Sequence, residues 1–376
     1  MVGRKGITLP KILFVGPYPP PVNGQSNAFK MAYDHYEFSK LLINQNFEKL
    51  SKFHKLFSTL HVFGLYIKSF FDFSIEVIYL SGSRSLLGAF KDVVLILIFK
   101  LRGIPIINHV HAANFDQFLN GLPFLVKQIY LYAFKKVDVF ICLLEEMQLE
   151  YLKFSSTSKT YVVHNFYDPI LDKVEVVIPK HNDVVIISYF SNLMFSKGIF
   201  ILLDAFELIH NHDLNIELHI AGGFSDDEFM TRKEVQIKFE EYLKRNSRIK
   251  YFGSVYDNQK IGFLLNSDLF VLPTFYKSEA FPISILEAMR TGSCIITTQH
   301  HYLPNLISER NGQCVKCKSV IDVSNALLFY IDRPELLKAI QEYNINYATE
   351  SFNVSFYLEK IDQIIEHVRL SNRSKL

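Results

Sequence analysis

The 376-residue chain has no tryptophan, four cysteines, almost no net charge and no long apolar run. Forty Lys and Arg against 38 Asp and Glu leave a formal charge of +2, which excludes a general polyanion binder, so nucleic acid is not an expected partner. Cys142, Cys294, Cys314 and Cys317 are too few for a disulfide framework, and reduced thiols are expected. Cys314 and Cys317 form a C-x-x-C, but no second Cys or His pair follows at metal-finger spacing, so they read as incidental thiols. The longest strongly apolar run, Val93 to Phe99, has seven residues where a bilayer span needs about 20. The opening MVGRKGITLPKILFVG breaks at Pro10 and leads straight into a turn; no secretory signal is read there, and a cytoplasmic protein is expected. What the chain does have is apolar mass, 49% hydrophobic residues with 34 Phe and 20 Tyr, the composition of a globular protein. Its length points to two domains.

Short β-branched and aromatic runs alternate with longer amphipathic stretches, the signature of βα units around a parallel sheet. Strands are expected at 11–16, 76–80, 105–110, 137–143 and 160–163, and again at 184–189, 215–221, 249–252, 269–273 and 294–297. The fold class is therefore α/β, with two doubly wound domains over 1–180 and 181–353 and a break in the polar segment Pro179 to Asp183. Charge divides unevenly: residues 1–175 hold 19 Lys and Arg against 14 Asp and Glu, leaving 21 against 24 for the rest. The basic half contains KDVVLILIFKLRG (Lys91 to Gly103) and FGLYIKSFFDF (Phe63 to Phe73). Two readings of these stretches stay open, a face resting on an anionic inner membrane and helices feeding a buried parallel strand.

Four places could carry chemistry. After the first strand, GPYPPPVNGQSNAFK puts Gly24 at a helix start, where a missing Cβ and free N–H groups admit an anion; an ordinary βα turn would look the same. INHVHAANF places His109 and His111 on one side of a strand, at the carboxyl end where open α/β sheets bind ligands. A zinc pair lacks a third ligand at useful spacing, and a neutral His111 hydrogen-bonding a substrate hydroxyl fits better. In the second half, the turn SNLMFSKG sets Lys197 where its ammonium can meet a phosphate held at a helix start. Finally, in DLFVLPTFYKSEAFPISILEAMR, Glu279 lies in a loop and Glu287 inside the helix that Pro282 opens. The first carboxylate can grip sugar hydroxyls, the second can accept from a ribose diol, and the N–H groups of Ile283, Ser284 and Ile285 would face a diphosphate; a pair of solvated surface carboxylates is the other reading. Glu287 stands among Ile285, Leu286, Ala288 and Met289, where an unpartnered charge would be costly.

With EAFPISILE (an E-x7-E pattern), Lys197-Gly198, HIAGG ending at Gly222 and Gly223, YFGSV with Gly253, the Gly24 loop and His111 in order, the chain resembles glycosyltransferase family 4, densest from Val184 to Val315. The resemblance implies the GT-B fold, two Rossmann-like domains facing a central cleft, with the helix at 354–372 packing back on the first. It implies a hexosyltransferase-type enzyme that moves a sugar from a UDP- or GDP-sugar to a glycan or lipid-linked acceptor with retention, needing no cofactor and no metal. Glu279, His111 and Lys197 would be the catalytic set. Gly24, Ser191, Asn192, Gly222, Gly253, Phe281, Ile283, Ser284 and Glu287 would complete the donor site, and the acceptor would bind the first domain. A pathway making a bacterial capsule, O-antigen or lipopolysaccharide chain follows by the same resemblance. Departures are the Ser191-Asn192 pair where Gly-Arg is usual, leaving Arg290 or Lys277 to replace the lost cation, and His300, His301 and Asn305 where Gly-Gly and an acid are usual. They motivate a second reading, a non-catalytic nucleotide-sugar-binding or scaffold subunit. A dinucleotide oxidoreductase is disfavoured because neither opening strand leads into G-x-G-x-x-G.

Overall fold

A computed structural model describes residues 11–20, 23–46, 52–178, 184–210 and 214–374, with side chains omitted at 52–56 and 210. The chain divides into two compact units, residues 1–164 with 357–376, and residues 165–356. The division thus follows His164, whereas the break expected at Pro179 to Asp183 lies outside the described residues.

Unit 1 runs β1 (Lys11–Gly16), α1 (Gly24–His35), β2 (Lys40–Asn44), α2 (Lys52–Phe70), β3 (Ile75–Ser81) and α3 (Leu86–Lys100). It continues through β4 (Ile106–His109), α4 (Phe115–Asn120), α5 (Phe124–Phe134), β5 (Val139–Cys142), α6 (Glu145–Leu152) and β6 (Lys159–Val162). The six strands form one parallel sheet in the order β2-β1-β3-β4-β5-β6. Parallel strands covered on both faces read as apolar runs, and Leu13, Phe14, Val15, Val77, Ile78, Ile106 and Ile107 are fully buried. Asn23 caps α1 in a reciprocal pair with Ser26: its side chain accepts from the Ser26 amide, and Ser26 Oγ accepts from the Asn23 amide, both at 2.9 Å.

Unit 2 runs β7 (Val185–Phe190), α7 (Ile199–His210), β8 (Ile216–Ala221), α8 (Arg232–Arg245), β9 (Ile249–Tyr251), α9 (Asp257–Leu265) and β10 (Leu269–Leu272). It continues through α10 (Ile283–Arg290), β11 (Cys294–Thr298), α11 (Leu303–Leu306), β12 (Gly312–Val315), α12 (Val320–Ile331) and α13 (Pro334–Ser351). Its parallel sheet has the order β12-β11-β10-β7-β8-β9. The last helix, α14 (Val354–Arg373), packs on unit 1: Tyr357 donates to the Ala28 carbonyl at 3.0 Å, Tyr36 to Glu366 at 2.9 Å, and Arg373 pairs with Glu76. The chain therefore passes between the units twice.

Candidate functional site

In unit 2 the connections reverse direction between β7 and β10, because β8 and β9 add to one side of β7 and β10 to the other. The carboxyl ends of strands at such a reversal leave a crevice in open α/β sheets. The turn after β7 and the loop after β10 therefore meet there, and two glycines make their approach possible. Gly198 is left-handed (φ +78°), and a Cβ on it would lie 2.1 Å from the Pro273 carbonyl oxygen. Gly222 (φ +144°) is pressed so closely on the turn after β7 that a Cβ would lie 1.8 Å from the Ser191 carbonyl oxygen. Backbone hydrogen bonds lace the same turns, Leu193 N to Gly223 O at 2.8 Å and Gly222 N to Gly253 O at 2.7 Å.

This packing brings Lys197 Nζ within 2.5 Å of Glu279 Oε2. Thr274 Oγ1 donates to the same carboxylate oxygen at 3.1 Å, and the Lys197 ammonium lies 4.9 Å from the centre of the Tyr276 ring. Glu279 is 7% exposed, so pair and hydroxyl form a nearly dry polar cluster. Beyond it, α10 opens at Ile283 and Ser284 behind Pro282, with no side-chain cap at its N-terminus. The first amides of a helix have no partner within it and carry the positive end of its dipole. Phe281 turns its ring inward against Phe352 (centroids 5.6 Å apart), and its carbonyl accepts from Asn165 Nδ2 at 2.8 Å.

Glu287, one turn into α10, is 5% exposed. Its Oε1 accepts from Lys260 Nζ at 2.9 Å, and Lys260 also reaches Asp168 at 2.5 Å. Burial raises the pKa of Glu287, with Lys260 pulling against it. Burial also works against the Lys260 ammonium, but the two carboxylates outweigh it and hold its pKa above the ordinary value.

Unit 1 has the corresponding reversal between β1 and β3. Gly24 is exposed at the start of α1, with Gln25 Nε2 donating to Ser81 Oγ at 3.0 Å. One strand over, the His109 and His111 rings lie 4.0 Å apart, and Tyr79 Oη is 2.5 Å from His109 Nδ1. Neither ring nitrogen of His111 has a hydrogen-bond partner among the described residues. Burial drives its pKa down to about 3, and burial with His111 beside it holds His109 well below the usual range, so both imidazoles stay neutral. Asp92, fully buried on α3, accepts from the Ser83 amide at 2.7 Å; burial lifts its pKa to about 7, with that amide, Lys91 and Arg84 opposing. Among the described residues no group of three His, Cys, Asp or Glu is arranged to hold a metal ion.

Residues 172–347 match the sequence family Glycosyl transferases group 1. They form a glycosyltransferase group 1 domain, and the protein is a transferase. Similar solved structures share the GT-B fold over nearly the whole chain. The chain is 16% identical to Alr3699/HepE from Anabaena, solved with UDP, with 95% of this chain and 100% of that one covered at a TM-score of 0.70. Sucrose-phosphate synthase from Thermosynechococcus elongatus is 14% identical, with 96% and 100% covered at 0.73. WaaG, a glycosyltransferase involved in lipopolysaccharide biosynthesis, is 14% identical, with 94% and 99% covered at 0.64. No curated protein sequence matches.

Within this glycosyltransferase domain, the expected substitutes for a missing cation are otherwise engaged. Arg290 sits at the far end of α10, its Nε 3.4 Å from Asp172 and its guanidinium 5.7 Å from the Tyr167 ring centre, and Lys277 pairs with Glu228 at 2.5 Å. His300 Nε2 lies 2.8 Å from the Tyr276 carbonyl and His301 Nε2 lies 3.1 Å from that of Lys277, so the imidazoles brace the Glu279 loop by donating to it. Lys260 and Asp168 were not anticipated, because they lie 27 and 119 positions from Glu287 in no local pattern.

Proposed function

We propose that the chain is a retaining glycosyltransferase of family 4, transferring a sugar from a nucleotide diphosphate sugar to a glycan acceptor carried on a lipid, in the assembly of a bacterial surface polysaccharide. The observation that carries this reading is the Lys197, Glu279 and Thr274 cluster at the sheet reversal, next to the uncapped start of α10. A diphosphate leaving group gains negative charge as the bond to the anomeric carbon breaks, and an ammonium with fixed helix amides stabilises that charge without reorganising. Lys197 and the amides of Ile283 and Ser284 are assigned to the diphosphate, Glu279 to the donor sugar hydroxyls, and Glu287 to the ribose diol. The backbone around Ser191, Asn192, Gly222, Gly253 and Phe281 is assigned to shaping the donor site. In unit 1, the neutral His111 and the Gly24 backbone are assigned hydrogen bonds to sugar oxygens. The acceptor hydroxyl attacks the anomeric carbon on the face the diphosphate leaves; its proton passes to the departing phosphate oxygen, and the nucleoside diphosphate is released. No side chain is assigned as base. The Anabaena protein solved with UDP-glucose supports a nucleotide-sugar donor, and WaaG supports the surface-glycan pathway.

Purified protein incubated with UDP-, GDP- and ADP-sugars and lipid-linked acceptors should consume one donor, and Glu279→Ala should slow that consumption by about 100-fold or more. Nucleotide binding without turnover by any acceptor would instead favour the scaffold reading, which the Ser191-Asn192 pair motivates.

A further inference from the structure

A helix on a protein surface normally shows one apolar stripe to the core and polar residues to water. Unit 1 departs from this on three helices. On α2 the inward stripe is Thr59, Val62 and Tyr66, all buried, yet Phe57, Leu60 and Ile67 on the opposite side, and Phe71 just past the helix end, are each more than half exposed. On α3 the core takes Val93, Leu95, Ile96 and Phe99, while Leu86, Phe90 and the capping Leu101 stay exposed. On α5 it takes Tyr130, Ala133 and Phe134, leaving Leu125 (72% exposed), Ile129 and Tyr132 outside. α3 packs against both α2 and α5, and the Phe63 and Phe90 rings meet edge to face at 5.8 Å, so the stripes join into one face. Soluble monomers rarely expose so wide an apolar patch without an interaction to cover it.

The charge on this face has one sign. Residues 57–71 and 120–137 contain Lys68, Lys127, Lys135 and Lys136 and no Asp or Glu. The nearby acids are neutralised: Asp72 pairs with Lys11 at 3.0 Å, Asp138 pairs with Lys100, and Asp92 is buried. Cations also sit on exposed rings, Lys136 at 4.6 Å from the Tyr132 centre and Arg102 at 4.7 Å from that of Phe73. No helix among the described residues is long and apolar enough to cross a membrane.

We propose that the α2, α3 and α5 face of unit 1 docks on an anionic lipid bilayer, the aromatic and aliphatic side chains entering the headgroup boundary and the lysines meeting lipid phosphates. A second copy of the chain fits worse, because a two-fold contact on this patch would set like charges against one another. The lipid-linked acceptor proposed above gives the docking a use, but vesicle binding is read without any turnover, so either proposal can fail alone.

Because the chain has no tryptophan, Phe90→Trp places a single reporter on the exposed ring of α3. Its emission should shift to the blue with vesicles of phosphatidylglycerol mixed into phosphatidylcholine, not with phosphatidylcholine alone, and the shift should weaken with salt. In co-sedimentation, Phe71→Ser should weaken vesicle binding by about tenfold, and Lys135→Glu/Lys136→Glu by about tenfold or more on anionic vesicles. Equal binding to both vesicle types, no shift with either, or a dimer by light scattering that the Phe71→Ser variant dissolves would each overturn the proposal.

Discussion

At the carboxyl ends of its strands unit 2 gathers ion pairs, Lys197 with Glu279 and Lys260 with Glu287 and Asp168, whereas unit 1 presents two imidazoles that burial keeps neutral. The outer surfaces differ in the opposite sense. On α8 of unit 2 the buried side is Val235, Phe239 and Tyr242, and Lys233, Gln236, Glu240 and Lys244 face water, while the outer helices of unit 1 expose Phe57, Phe90 and Leu125. Two sheets of six parallel strands thus carry different equipment on one frame. Fold alone assigns no chemistry; fixed charge suits a diphosphate, and neutral hydrogen-bonding groups suit sugar hydroxyls.

Four experiments test that contrast between the units. The largest effect is expected from Lys260→Met, which leaves the buried Glu287 carboxylate, and the part-exposed Asp168 beside it, without their cation. Breaking a buried pair from one side costs about 3–5 kcal/mol, so denaturant unfolding should show that loss and Lys260→Met/Glu287→Gln should recover much of it; an unchanged midpoint would mean the triad is not a structural unit. Next, Glu279→Ala should lower kcat/KM by about 100- to 1000-fold and also lower the melting temperature, since it leaves Lys197 in a nearly dry site without its carboxylate; a loss confined to KM would remove Glu279 from the transition state.

In unit 1 the effects are read against pH. Asp92 in the folded chain holds its proton up to a pH of about 7, while an unfolded Asp releases it near 4. The stability it contributes is therefore present below about pH 4 and lost as pH rises toward 7. Asp92→Asn should gain on the wild type by about 3 kcal/mol over that range, and parallel melting curves would show Asp92 to be solvated. His111 acts in the other direction. Its folded pKa of about 3 lies below the unfolded value, so its contribution is complete above about pH 6.5 and falls as the unfolded chain takes up a proton. Between pH 6.5 and 5 this amounts to about 2 kcal/mol, which His111→Gln should largely remove; a His111 proton signal titrating near 6.5 would contradict the neutral, buried ring.

Much of the fold was legible because buried parallel strands are written as apolar runs. Of the twelve strands among the described residues, ten were anticipated within two residues at either end. The two that were not, β2 and β12, lie at sheet edges. There, KLLIN and GQCV remain partly exposed and need no continuous apolar pattern. The run Lys91 to Phe99 divided the two readings of the basic half: its inner residues are core, as a helix covering a parallel sheet requires, while Phe90 and Leu101 on either side of it are exposed. Within the site, the E-x7-E spacing and the Lys197 turn are local and could be read directly. Lys260 and Asp168 could not, since only the packing of α9 and the segment before Pro169 onto α10 brings them to Glu287. The pairings of Arg290 with Asp172 and of Lys277 with Glu228 were hidden for a related reason. A cation's charge is visible in the sequence, but the carboxylate that claims it is not.

In the proposed function, unit 2 holds a nucleoside diphosphate through Lys197 and the start of α10. Thermal unfolding in the presence of uridine, UDP, guanosine and GDP is the decisive test, because a ligand that binds only the folded state raises the melting temperature by an amount that grows with the logarithm of its affinity. One diphosphate should stabilise the wild type well beyond its own nucleoside, and Lys197→Ala should remove most of that difference. Equal shifts for nucleoside and diphosphate, or a diphosphate shift unchanged in Lys197→Ala, would remove Lys197 from the diphosphate site.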